Sequence, residues 1–264
     1  MHNLIKADLY KIFRMTGMKI LLLITSACAI IMTVMAYYIP QGKIPASYTG
    51  VGFLFSDVNV MSIIGAVAAG ILLCGDFDNK TIHDAISSGI SRTVIVVGKS
   101  VTYMITIMVL LLPYVIATLA AVVSGKEFGM GSVGVGFLNI MANSGGTLDS
   151  NGIIKTIAIM AVLLIVYAGM LSLCIPIAFA TKKPVIVVAV YYVLTIVFAN
   201  LSSLRADYSL FDKVMGLLPF GGDYSMLTVA SATGDIVKGL AVSIIFGSVI
   251  VALTALGFQE TEIR

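Results

Sequence analysis

Along the chain, polar and apolar positions separate into long blocks instead of mixing. Six apolar runs stand out, at about Ile20–Ile39, Val58–Gly75, Val94–Val123, Ile153–Ala180, Val185–Leu204 and Val237–Phe258. A helix needs about 20 apolar residues to cross the roughly 30 Å hydrocarbon core of a bilayer, and each run approaches or exceeds that length. Backbone groups in lipid are satisfied only inside helices or closed barrels. The runs are continuous and lack the strict alternation of a half-buried strand. The pattern predicts an all-α polytopic membrane protein with six transmembrane helices, organised as a single domain over residues 1–264.

Composition agrees. Of 264 residues, 59% are hydrophobic and only 11% charged, with a mean hydropathy of +1.07, whereas about a quarter of a soluble domain is charged. A net charge of +3 is too small to point to nucleic acid. Cys28, Cys74 and Cys174 lie in or beside apolar runs, where they serve as small buried hydrophobes and not as a disulfide framework.

Basic residues in short connections set orientation. With the N-terminus inside, the cytoplasmic side carries ten Lys and Arg (Lys6, Lys11, Arg14, Lys19, Lys80, Arg92, Lys99, Lys182, Lys183, Arg264) and the outer side six (Lys43, Lys126, Lys155, Arg205, Lys213, Lys238). The expectation is N-in and C-in. A cleavable signal peptide has an apolar core of about 7–15 residues behind a short basic lead. The lead here is longer and the first apolar run is long enough to span, so a first transmembrane helix is expected instead. Within residues 1–18, Leu4, Ile5, Leu9, Ile12 and Phe13 share one helical face, with Lys6, Lys11 and Arg14 elsewhere. That spacing predicts an interfacial helix with its basic residues at the headgroups, and Gly17 offers an elbow into the first span. A plain solvated start to that span is the simpler alternative.

The segment 76–92 between the second and third spans is the most polar in the membrane-embedded part. It leads to Gly98-Lys99-Ser100, the tail of a phosphate-binding loop, but that loop needs a glycine five positions before its second glycine, and Thr93 stands there. ATP is not bound here. Asp78 is placed to cap a short helix, with Phe77 and Ile82 as a hydrophobic staple. Ile82, Ala85 and Ile86 then share one face, and Lys80, His83, Asp84 and Ser87 the other. Gly89 stops this helix, and Ser91 is placed to cap the next. By pattern alone it is either a docking element or an ordinary interfacial loop helix.

The same loop resembles that of type-2 ABC-transporter permeases. There an acidic residue, Gly-Thr-Leu, a short helix, a Ser-Arg pair and Gly-Lys precede the third span. This chain has Asp76, Thr81-Ile82, Ser91-Arg92 and Gly98-Lys99 at that spacing. It departs from the pattern with Asp76 in place of the usual glutamate and Lys80 in place of glycine. The interfacial segment before the first span, the six-span count and the length are also similar. The resemblance implies that the loop helix is a coupling helix pressed into a separate ATPase subunit, with Asp76, Thr81, Ile82, Ser91 and Arg92 as transmission contacts. Asp78, Lys80, His83, Asp84 and Ser87 join them from the capping and face patterns. It also implies a bacterial plasma-membrane exporter of an amphipathic substrate such as an antimicrobial peptide, or immunity against one. Such a permease works with two ATPase copies and a second permease, identical or homologous. ATP and Mg²⁺ belong to the partner chain, and this chain is then no enzyme and carries no cofactor.

The connections at 124–152 and 205–236 are expected outside the cell. The first holds eight glycines, the composition of a flexible loop. Its apolar island Val133–Met141 suits either a surface-resting piece or a lid. In the second, Phe211, Val214, Met215, Leu217 and Leu218 fall at helical spacing before Pro219, Phe220, Gly221 and Gly222. Two short helices broken at Pro-Phe-Gly-Gly are expected, either re-entrant or resting on the surface. Resemblance to permeases implies an exit gate at Leu217, Leu218, Pro219 and Phe220. Pro176 predicts a kink in the fourth span by freeing the Ser172 carbonyl, and Lys182-Lys183-Pro184 predicts a tight turn. Gly65, Ala66, Ala69 and Gly70 form a small-residue surface for close helix packing, against this chain or another.

With the spans so bounded, Lys99, Lys155 and Lys238 stand near span ends and no Asp, Glu, Lys, Arg or His lies deep within one, which argues against ion-coupled transport. The polar candidates for a pathway are Thr25, Thr33, Tyr103, Thr106, Tyr191, Tyr192, Thr195 and Asn200. The alternatives from other classes are a stand-alone secondary carrier or channel and an intramembrane enzyme. No catalytic pair or metal motif supports the enzyme.

Overall fold

The computed structural model describes residues 2–131, 134–143, 150–206, 209–221 and 223–260. It is built from helices: α1 (His2–Arg14), α2 (Thr16–Tyr38), α3 (Thr49–Leu54), α4 (Asp57–Ala69), α5 (Gly75–Asp78), α6 (Thr81–Ser87), α7 (Arg92–Val123), α8 (Gly136–Asn143), α9 (Ser150–Leu171), α10 (Cys174–Thr181), α11 (Pro184–Ser203), α12 (Ser209–Met215) and α13 (Thr233–Glu260). Among the described residues, six helical stretches are long and apolar enough to cross a membrane: Thr16–Tyr38, Ala46–Asp78, Arg92–Val123, Asn151–Thr181, Pro184–Ser202 and Thr233–Glu260. The second extends well upstream of the expected Val58. It is a composite of a 3-10 turn at Ala46–Tyr48, α3, α4, a π-helical turn at Gly70–Cys74 and α5.

The third span, α7, is the axis of the bundle. It packs against α1, α2, α4, α8, α9 and α13, and its Tyr103, Ile107, Leu110, Leu111 and Tyr114 are fully enclosed. Because lipid is as apolar as leucine, helices in a bilayer associate through close packing more than through hydrophobicity. Small residues accordingly mark the crossings. A Cβ on Gly65 would stand 2.6 Å from Leu171, and one on Gly70 would stand 2.8 Å from Pro184. The small-residue surface of the second span is therefore used within this chain, against α9 and the start of α11. At Gly169 a Cβ would meet the Ser243 carbonyl at 3.0 Å, which brings α9 and α13 together. In contrast α11 leans on α4 and α10 and leaves Val185, Val193 and Ile196 exposed.

Local breaks follow their chemistry. The fourth span is interrupted at Ser172–Leu173, between α9 and α10, just before Pro176, as the freed carbonyl predicts. Lys182 closes the next turn at φ +56. Of the two short helices expected after the fifth span, only α12 forms among the described residues. The apolar piece beyond Gly222 is a single 3-10 turn, Asp223–Ser225, and irregular chain, because Leu227 and Tyr224 bury as isolated anchors and not along one helical face. The glycine-rich connection, expected to be loop, contains α8, whose Phe137, Leu138, Ile140 and Met141 are buried. Val133, also part of the expected apolar island, lies outside the described residues, as do Arg264, Gly222 and Asp207–Tyr208.

Candidate functional site

The loop helix forms, but it starts later than its sequence suggests. The second span continues through Asp78, the chain turns at Asn79, and Lys80 takes a left-handed conformation, φ +56, before α6 begins at Thr81. Asp78 is therefore not the cap. It is the last residue of the preceding helix and is exposed. The staple pair still packs inward, with Phe77 and Ile82 both buried. Gly89, at φ +85, ends the helix as expected, and Ser91 occupies the N-cap position of α7 in extended conformation. Lys80, Asp84, Ser87 and Ser91 are exposed and His83 is half-buried. The result is a seven-residue helix with one apolar face on the bundle and a polar face left open.

Beneath it lies an ion-pair chain. Asp76 is 4% exposed and accepts from Lys11 Nζ at 2.8 Å and Lys99 Nζ at 2.6 Å, while Lys99 also pairs with Asp8 at 2.7 Å. Thr81, the first residue of α6, donates its hydroxyl to the Asp76 carbonyl and carboxylate, each at 3.0 Å. Two carboxylates and two ammonium groups thus neutralise one another where desolvation would otherwise be severe. Asp76 and Ile82, expected to contact a partner, instead face inward. They fix α6 to the bundle. Lys11, expected at the headgroups, reaches into the same cluster.

The Gly98-Lys99 pair, which resembled a nucleotide loop, has a packing role. Gly98 lets α1 approach α7, since a Cβ there would lie 3.0 Å from Leu4 Cδ2, and Lys99 completes the ion-pair chain. Arg92 is likewise engaged inside the chain. Its guanidinium donates to the carbonyls of Phe258, at 3.3 Å, and Gln259, at 2.9 Å, and lies over the Phe258 ring. A cation at the C-terminus of α13 satisfies orphan carbonyls and complements the helix dipole. Phe77, Phe179 and Phe258 meet edge to face beside it.

A second polar site sits at the opposite end of the second span. Asp57 is completely buried at the first position of α4. Its Oδ2 accepts from the Tyr167 hydroxyl of α9 and from the Phe137 amide of α8, the latter at 3.1 Å. Its Oδ1 is buried with no hydrogen-bond partner among the described residues. Gly136, at φ +64, stands against this carboxylate and has no room for a Cβ. Asn139 of α8 donates to the Met226 carbonyl at 2.8 Å, so α8 joins the second and fourth spans to the connection before the sixth. No pattern in the chain announces this site. Ser56-Asp57 has the form of a helix cap in a loop, and the span limits drawn at Val58 left the carboxylate outside.

The other expected site residues scatter. Tyr103 is enclosed and donates to the Gly65 carbonyl at 3.0 Å, Thr106 bonds to its own helix, and Tyr191 is buried. Tyr192 and Asn200 are exposed and Thr195 is half-buried on α11. Thr25 and Thr33 on α2 bond to their own helix carbonyls. These residues do not converge on one lining. Leu217 is exposed, Pro219 is buried, and Phe220 stacks on Phe198 at 4.5 Å with Phe246 across it. The Pro-Phe corner thus wedges between α11 and α13, with Leu218 half-buried beside it. A lateral slot of about 790 Å³ opens between α7, α9 and α13, with Met104, Gly169 and Gly247 on its walls. No protein-family model matches this chain, and no curated protein matches it.

Proposed function

We propose that this chain is the membrane-spanning subunit of an ATP-driven exporter in the plasma membrane of a bacterium, oriented with α1 and α6 in the cytoplasm. It acts with two copies of a separate ATPase and a second permease, and it moves an amphipathic substrate such as an antimicrobial peptide. The observation that carries this reading is α6: a short helix between two spans, anchored inward through Ile82 and Asp76, with Asp84 and Ser87 presented outward on it and Asp78 and Lys80 exposed where the chain leads into it. A partner closing on that face pushes on the second and third spans together. ATP and Mg²⁺ are held by the partner, and this chain performs no chemistry. The connection around Leu217 to Phe220 serves as the exit gate, and the α7–α9–α13 slot offers apolar cargo a lateral path. Co-purification with the ATPase, together with vanadate-sensitive hydrolysis, tests the assignment. The Asp84→Lys, Lys80→Glu double variant should insert normally and lose the ATPase. Full recovery of the partner with that variant would refute the polar-face assignment. Arg92 is unsuited to this test, since it holds α13.

The second reading is a stand-alone carrier, and Asp57 is the observation in its favour. A buried carboxylate with an unpartnered oxygen is the kind of group on which ion coupling turns. Uptake driven by an ion gradient in vesicles lacking any ATPase, and lost in Asp57→Asn, would favour the carrier.

A further inference from the structure

The cations around the elbow between α1 and α2 divide into two sets. Lys11 is matched by Asp76, and Lys99, which faces α1, is matched by Asp8 and Asp76. Arg14 and Lys19 lie elsewhere around the elbow, and among the described residues no carboxylate stands within ion-pair distance of either. Arg14 instead lies over the Tyr10 ring at 4.5 Å. Lys19 is exposed on the rim of a cleft of about 140 Å³ between α1, α2 and α7, walled by Leu9, Phe13, Met18, Leu22, Ile105 and Val109. Thr106 also faces this cleft, but its hydroxyl is committed to the Thr102 carbonyl at 2.9 Å. Among the described side chains, the ammonium at its mouth is therefore the one donor the cleft offers. A cavity of about 150 Å³ lined by Leu, Ile and Phe stays dry and takes up hydrocarbon.

We infer that the elbow between α1 and α2 is a binding site for one anionic phospholipid, with the phosphate at Lys19 and Arg14 and part of an acyl chain in the Phe13–Val109 cleft. Charge selects the class: an ammonium at a greasy opening without a carboxylate partner among the described residues, with Arg14 on the same elbow likewise lacking one, favours an anionic headgroup over a zwitterionic one. The elbow joins an interfacial helix to a span, which sets it at headgroup depth. This site does not depend on the transport mechanism proposed above.

The chain contains no tryptophan, so Phe13→Trp gives a unique reporter at the cleft. The full-length protein is reconstituted in phosphatidylcholine vesicles with an equal fraction of acyl-brominated phosphatidylglycerol or acyl-brominated phosphatidylcholine. The indole fluorescence of the Phe13→Trp variant should be quenched preferentially by the brominated phosphatidylglycerol. Lys19→Ala and Arg14→Ala should each reduce that preference about fivefold, following the strength of one basic residue at an anionic surface. A reporter at Ile116→Trp, on the exposed flank of α7, should show no preference. Filling the cleft with Val109→Phe separates a built site from general attraction, because it should abolish the preference while leaving the cations in place. Equal quenching of the cleft reporter by the two lipids, or a preference that survives Val109→Phe, would overturn the proposal. Phosphatidylglycerol retained per mole of the tryptophan-free protein, with and without Lys19→Ala, provides the same decision if the reporter variant fails to fold.

Discussion

Asp57 and Asp76 stand near opposite ends of the second span, both buried and both bonded across the bundle, yet they are held in opposite ways. Asp76 meets two ammonium groups and belongs to a chain of matched charges linking α1, α5 and α7. Asp57 meets a phenol and an amide, and among the described residues no cation pairs with it. The first arrangement is a structural anchor, because removing either sign strands the other. The second leaves a carboxylate whose charge the surroundings do not require. One end of the span is thus locked by electrostatics, and the other is closed by a short helix held by apolar packing and by neutral hydrogen bonds to Asp57 and Met226.

That contrast can be broken most severely at Asp76. Asp76→Ala leaves Lys99 buried with only Asp8 and should cost about 3–5 kcal/mol, seen as loss of monodisperse protein and a lowered unfolding temperature in detergent. Gly136→Ala should cost about 1–3 kcal/mol for its left-handed backbone, and more as its Cβ displaces Asp57. The check is increased thiol labelling of an Ile140→Cys reporter, buried on α8 in the parent. Asp57→Asn keeps the shape and the acceptor for Phe137 and should cost only about 1 kcal/mol by thermal unfolding. A loss as large as that of Asp76→Ala would show that the two ends are held alike. Asp84→Lys, on the open face of α6, should alter stability by no more than about 0.5 kcal/mol in thermal unfolding, while weakening co-purification of the proposed ATPase.

The features legible in the sequence were those written in one stretch of chain. Long apolar runs announced the six spans, and Phe77, Ile82 and Gly89 announced α6 and its inward face. The start of α6 was missed because the second span continues past its apolar run, so Asp78 ends a helix instead of capping one. Partners remote in sequence were invisible. Nothing in Asp8 or Lys11 announces that they meet Lys99 and Asp76, and the basic face of α1 suggested headgroups for all its cations. In the connection before the fourth span, glycines hid α8. One of them, Gly136, is there because the Asp57 carboxylate presses against it, a requirement that composition reports as flexibility.

The ring contacts among Phe77, Phe179 and Phe258, tightened by Arg92 across the last carbonyls of α13, weld the neighbouring ends of three helices into a single plate. A displacement imposed at one of them is shared by the others, so under the proposed docking at α6, strain delivered near Ile82 would travel as a tilt of several rods instead of being lost in the bending of one.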